Sequence, residues 1–450
     1  MVFMMVLRVA LDDVPEYCRP EYGAVTKSQQ HIMRNCFNPV FEWQGNVLTS
    51  SFFAEWSWDG KLFRGRVNSV RFHTGQIVTS EIIGQIIHRK FRSLNISHRI
   101  NCDNEFLTFE IDHVFGPLLS VLAEEDVLVT DGNGAGTGPY RITMWERGYV
   151  QLAKVPSMAE SKFPDIVQFI SYKSAEVILD ALLSGEIDLA YEIPYRVLRE
   201  GHPHLCVTVA PIRSMNSLQF NCQRIPTPVR RRIRDAIDLA AILNSVHEGV
   251  GIVPNGLFPS DTLGYTPSSN RSLETSNRSL ENHDSADLSG SYPNDLELIT
   301  RPAPIAVERW ATAIAMPLQG LGIHVRITAL SVGETVARMQ RGDFDMAQLG
   351  FQIGPDPYAF LLEFFSREGT MNLTRFYSPE FEQLLEAARN TVREEARSLL
   401  YAKMQSIIRD EVPVIPTRQG YSMVISSATH PIPLDPNADG IIIVARGRWA

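Results

Sequence analysis

GDFDMAQLGFQIGPDPYAFL, from Gly342 to Leu361, is the stretch on which the fold turns. A glycine turn leads into an apolar strand, Phe344–Phe351. The strand ends on an aromatic of the exposed type and opens into a Pro/Gly/Asp loop. A strand end that opens into such a loop is how an α/β domain presents groups to a ligand. Phe351 is therefore a candidate to stack on a ligand, or else it caps the strand. Asp356 is a candidate to meet a cationic group, or else it caps a helix starting near Pro357.

Outward from that stretch the last third keeps α/β order. Strands are expected at Leu296–Thr300 and Gly322–Ile327. Helices are expected at Ile305–Leu318, kinked or ended by Pro317, and at Gly333–Gln340, Pro379–Asn390 and Arg393–Arg409. Extended chain follows at Val412–Thr417 and Tyr421–Ser426. Toward the N-terminus, Tyr140–Trp145, Ile166–Ile170 and Ile187–Tyr191 read as strands and Ala175–Ser184 as a helix. Pro228–His247 is a helical block. Its Arg230, Arg231, Arg232 and Arg234 suit either an anion or, more simply, a solvated face.

The first third differs. Val6–Leu11 reads as a buried strand and Thr26–Phe41 as a helix that turns at Asn38-Pro39. Residues 45–130 carry short strand signals. Lys61–Phe72 is expected to be an edge-exposed strand pair, and Phe106–Ile111 a further strand. Thr79–Phe91 is an amphipathic helix and Pro117–Ala123 a short apolar one. The glycine-rich Asp131–Gly138 lacks the GK[ST] of a phosphate loop and reads as a domain-crossing hinge. Residues 267–294 hold NRSLE twice and few aromatics, and are expected to be a flexible insertion.

Bulk numbers narrow the function. At 450 residues two or three lobes are expected. A net charge of −9 argues against nucleic acid as partner; the 42 basic residues, 35 of them Arg, are scattered. Five cysteines form no CxxC pair, and no histidine sits at zinc-finger spacing. No metal or other cofactor is expected. The odd cysteine count leaves at least one free thiol. No apolar run reaches the roughly 20 residues of a spanning helix. Met1–Leu7 makes a poor signal peptide, with no basic residue ahead of it and no small-residue cleavage site. There is no GxSxG, HExxH or Walker loop, so no enzyme is expected.

Pieces spread along the chain resemble, in order, the family-5 extracytoplasmic solute-binding proteins, the oligopeptide- and dipeptide-binding partners of ABC importers. They are Phe72-His73-Thr74-Gly75, Thr137-Gly138-Pro139-Tyr140, Leu182–Ala190 (LLSGEIDLA), Leu218–Asn221 (LQFN), Arg232–Ala236 (RIRDA), Leu321–Val325, Arg341–Ala347 (RGDFDMA) and Val412–Pro416.

The resemblance implies a two-lobed, periplasmic-binding-protein-like α/β fold (class II) with an extra β-rich subdomain. Lobe one would be 1–44, 131–222 and 419–450; the subdomain 45–130; lobe two 223–418. Crossings near Phe220–Pro226 and Arg418–Tyr421 would form the hinge. It implies a monomeric receptor that encloses a peptide-like or amino-acid-conjugate solute between lobes and delivers it to a permease. The implied compartment is the periplasm. A cytoplasmic sensor and a non-binding descendant are the alternatives. Asn221, Phe220, Phe37 and Asn38 join Phe351 and Asp356 as ligand-binding candidates. Where peptide-binding members place an ammonium-receiving Asp, this chain has Gly354, with Asp356 as the nearby substitute. His73 is expected to be structural.

Overall fold

A computed structural model describes residues 4–12, 14, 26–124, 127–267, 294–300, 305–436 and 439–449. The expected insertion and Cys18 lie outside the described residues, apart from Pro267 and Asn294. The chain divides into two compact units. Unit 1 comprises 1–212, 389–393 and 421–450, and unit 2 comprises 213–388 and 394–420.

Unit 1 begins with β1 (Val6–Leu11) and α1 (Lys27–Cys36). Thr26 and Gln29 close a capping box at the start of α1. The hairpin β2 (Glu42–Gln44) and β3 (Val47–Thr49) follows, then β4 (Phe53–Trp58), β5 (Leu62–Val67), α2 (Ser80–Ser93), β6 (His98–Cys102), β7 (Phe106–Ile111) and α3 (Leu118–Val121). Four of these strands form an antiparallel sheet in the order β4-β5-β7-β6. The expected edge pair at Lys61–Phe72 is thus corrected. β5 is interior, and Phe63 drives it inward by stacking on Phe109 with ring centroids 4.7 Å apart. Ile83, Ile86 and Ile87 of α2 are buried.

The chain continues through β8 (Tyr140–Glu146), β9 (Tyr149–Lys154), β10 (Ile166–Ser171), α4 (Ala175–Ser184), β11 (Leu189–Ala190), α5 (Tyr195–Glu200) and β12 (Leu205–Phe220). β1 pairs in parallel with β10 and β11, and antiparallel β9 and β8 extend that sheet. β11 is shorter than expected because Asp188 is spent on Arg8, accepting from its backbone N–H and its guanidinium. The loop 131–138 lies wholly within unit 1, so it is not a crossing between the two units. Asp131 Oδ1 folds it by accepting from Asn133 and Ala135 N–H. His73 locks it, its Nδ1 accepting from Gly136 N–H and its Nε2 bonding the Gly138 carbonyl. Gly138 has no room for a side chain: a Cβ would stand 2.7 Å from the Cys36 carbonyl carbon.

Unit 2 takes the second half of β12, then α6 (Thr227–Ala236), α7 (Leu239–His247), β13 (Asp295–Thr300), α8 (Ile305–Gln319), β14 (His324–Ala329), α9 (Val332–Arg341), β15 (Met346–Gln352), α10 (Tyr358–Phe365), α11 (Pro379–Arg389) and α12 (Glu394–Glu411). β16 (Val414–Ser427) begins here and ends in unit 1. The sheet order in unit 2 is β14-β13-β15-β12-β16. Its core gathers Leu218, Phe220, Leu298, Trp310, Ile314 and Met346. Pro317 falls in the last turn of α8, which runs on to Gln319 without breaking.

The arginines of α6 do not form a simple solvated face. The helix α12 leaves its last carbonyls without intrahelical donors. Arg230 donates to those of Glu411 and Val412, Arg231 to that of Asp410 and Arg234 to that of Arg409. Positive charge also suits a helix C-terminus. Arg231 and Arg232 are exposed as expected, whereas Arg230 is buried and Arg234 half-buried.

The chain passes between the units at Ile212–Arg213, inside β12, at Gly420–Tyr421, inside β16, and on either side of the short unit 1 segment 389–393. The first crossing therefore precedes the expected Phe220–Pro226.

Candidate functional site

In unit 2, β15 pairs antiparallel with β12 and sets Phe351 opposite Met215. Phe351 is only 5% exposed. Its ring lies 4.9 Å from that of Phe360 and 6.1 Å from that of Phe364, both on α10. The following loop is tied down by backbone bonds. Ile353 N–H donates to the Arg213 carbonyl, and Leu263 N–H donates to that of Pro355.

Asp356 is 7% exposed, and its carboxylate is occupied. Oδ2 accepts from Arg397 at 2.8 Å and Oδ1 from the Tyr401 hydroxyl at 2.7 Å. Tyr358 N–H, at the first turn of α10, also donates to Oδ1. Burial pushes the Tyr401 phenol well above its usual range, so it stays a donor. The carboxylate thus joins α10 to α12. Gly354 is exposed in the same loop.

Asn221 is 1% exposed and serves the backbone on all sides. Its Nδ2 donates to the Gly342 and Phe344 carbonyls, and its Oδ1 accepts from Gln223 N–H. Phe220 is fully buried in the unit 2 core. In unit 1, Phe37 is buried against Leu128 and Tyr140, while Asn38 is half-buried and donates to the Thr137 carbonyl. Four candidates thus belong to unit 2 and two to unit 1.

The residues that sequence reasoning missed are Arg397 and Tyr401. Their spacing of four places them on one face of a helix, which was the available signal. Among the described residues no group of three or more His, Cys, Asp or Glu side chains converges as for a metal. Cys36, Cys102, Cys206 and Cys222 are free thiols. No helix among them is long and apolar enough to cross a membrane.

A family model described as bacterial extracellular solute-binding proteins, family 5, middle region, matches residues 105–372, more than half of the chain. The chain belongs to that family. As a family-5 protein it is 24% identical over 343 residues to the "Probable D,D-dipeptide-binding periplasmic protein DdpA" of Escherichia coli (strain K12), covering 70% of this chain and 66% of that one. It is 23% identical to the dipeptide-binding protein of the same strain, covering 63% and 56%. This family-5 chain therefore spans between about half and two thirds of those curated relatives.

Among solved structures it is similar to a dipeptide-binding protein from Pseudoalteromonas sp. SM9913 in complex with Met-Leu. The TM-score is 0.81 at 18% identity, over 99% of this chain and 100% of that one. It is also similar to AgaA of A. tumefaciens R10 in complex with agropinic acid, with TM-score 0.76 at 18% identity over 94% and 93%. The fold is the α/β fold of the two-lobed periplasmic binding proteins, as the sequence implied.

Proposed function

We propose that this chain is the solute receptor of an ABC importer, and not an enzyme. It captures a peptide-like or amino-acid-conjugate solute and delivers it to a membrane permease, acting as a monomer in the periplasm. Membership of family 5 carries this reading. Relatives named for dipeptides and structures holding Met-Leu or agropinic acid support the solute class.

Among the ligand-binding candidates, Phe351 is the one we assign to solute contact. Phe37 and Phe220 serve the cores of their own units, Asn221 ties backbone segments of unit 2 together, and Asn38 holds the Thr137 carbonyl. Asp356 holds α10 to α12, so a solute ammonium group does not take it as counter-ion. An ammonium buried without a counter-ion would be costly. The receptor therefore does not depend on a free amino terminus.

The test is thermal unfolding of the purified chain against short peptides, their N-acetylated forms and opine-type conjugates. A ligand at a hundred times its dissociation constant adds about 2.7 kcal/mol and raises the midpoint. A hit retained on acetylation is expected. A hit lost on acetylation would return Asp356, or another carboxylate, to the site. No shift with any probe would sink the receptor reading.

A further inference from the structure

Between α2 and the edge strand β6 lies a groove of about 570 Å³. Gly84 lets helix and strand come close: a Cβ there would stand 2.9 Å from the Cys102 sulfur. In the groove His88 of α2 meets His98 of β6, His88 Nδ1 lying 2.7 Å from His98 Nε2. The other nitrogen of His98, Nδ1, lies 2.7 Å from the Ile96 carbonyl oxygen. A carbonyl only accepts, so Nδ1 carries a proton, and the neutral form of His98 with that tautomer presents its lone pair at Nε2. Phe91 packs edge-on against this ring, centroids 4.9 Å apart, and holds its plane. A carbonyl bond at one nitrogen that leaves the other as an oriented acceptor is how metal-ligating histidines are held.

We propose that His88 and His98 form a two-imidazole site for a tetragonal divalent cation of the copper(II) type. His88 is exposed. Transfer of its proton from Nδ1 to Nε2 through solvent leaves a lone pair on each of the two facing nitrogens, with no net change in bound protons and no redox step, and a small rotation of the exposed His88 ring turns both toward one cation. With metal–nitrogen bonds of about 2.0 Å, a right-angled pair of ligands stands about 2.8 Å apart and a tetrahedral pair about 3.3 Å. The observed 2.7 Å reaches the right-angled arrangement by the smaller movement. Copper(II) also binds nitrogen sites most tightly among the divalent first-row metals. With no third protein ligand converging among the described residues, water completes the coordination.

The probe is Cu²⁺ alone, titrated into the full chain and followed by electron paramagnetic resonance. The wild type is expected to show one site with two equatorial nitrogens. His98→Gln is expected to weaken binding at least tenfold and remove one nitrogen coupling, while His202→Gln changes neither. His88→Gln, an exposed change that leaves the fold alone, carries the test should His98→Gln unfold by circular dichroism. Affinity and spectrum unchanged in the His88→Gln variant would overturn the site.

Discussion

At the scale of single residues, the decisive side chain is Asp356. A carboxylate with both oxygens bonded and its Arg397 partner equally buried is a structural ion pair. Removing one member of such a pair strands the other charge in a low-dielectric surround, at about 3–5 kcal/mol. Asp356→Asn is therefore expected to lower the urea-unfolding free energy by about 3 kcal/mol. A loss under about 1 kcal/mol, as for an ordinary surface change, would refute the structural role. His31 offers a second test. It is fully buried, its Nδ1 accepts from Ile442 N–H, and burial followed by the charge of Lys27 pulls its pKa down to about 3. The unfolded chain, with an ordinary histidine near 6.5, then takes up the proton first. The stability of the neutral, buried state is complete above that value and is lost as pH falls from about 6.5 toward 3. Stability measured at pH 7, 6 and 5 should decline, and His31→Gln should flatten the decline. His247, pulled down to about 4 by burial and Arg418, keeps part of the slope. An identical slope in the variant would count against the assignment.

At the scale of elements, Arg230 shows what one guanidinium does for a helix end. It donates to the carbonyls of Ile225, Glu411 and Val412 from a buried position. Arg230→Met would orphan them, at about 1–3 kcal/mol per buried group. A total loss of about 3 kcal/mol is expected, against under about 0.5 kcal/mol for the exposed Arg232→Met. Equal effects of the two would refute the capping account. Gly342 ends α9 at φ +77°, and a Cβ there would meet the Arg375 Nε at 2.7 Å. Gly342→Ala should therefore destabilise by about 1–2 kcal/mol, a shift that chemical denaturation resolves. These elements also show why the sequence was readable in part. β7 and α4 stand at the predicted residues, because local periodicity and turn residues suffice for them. The role of the α6 arginines was hidden because their acceptors lie some 175 to 182 residues onward. Likewise Asp356 could be read as ligand-facing until Arg397, 41 residues later, was placed beside it. Alternation in Lys61–Phe72 could reveal a strand but not its neighbours, since strand order depends on pairings that close over long loops.

At the scale of the whole molecule, the chain passes from one unit to the other inside β12 and inside β16, and enters unit 1 again for the short segment 389–393. A solute bound by the native chain and not by the unfolded one must raise stability by mass action, whatever its chemistry. Titration therefore separates a working receptor from a folded relative that has lost its ligand. The midpoint should climb with the logarithm of solute concentration, with no plateau up to a hundredfold excess over the dissociation constant. Phe351→Ala is expected to weaken the solute at least tenfold if the ring stacks on it, because an aromatic anchor carries a large share of a small ligand's contact area. Its stability without solute also falls, since the ring packs on Phe360. The two effects are distinguished by plotting each variant's shift against its own solute-free midpoint. A lowered midpoint with an unchanged solute shift makes Phe351 a strand cap and nothing more. A reduced shift makes it part of the binding surface.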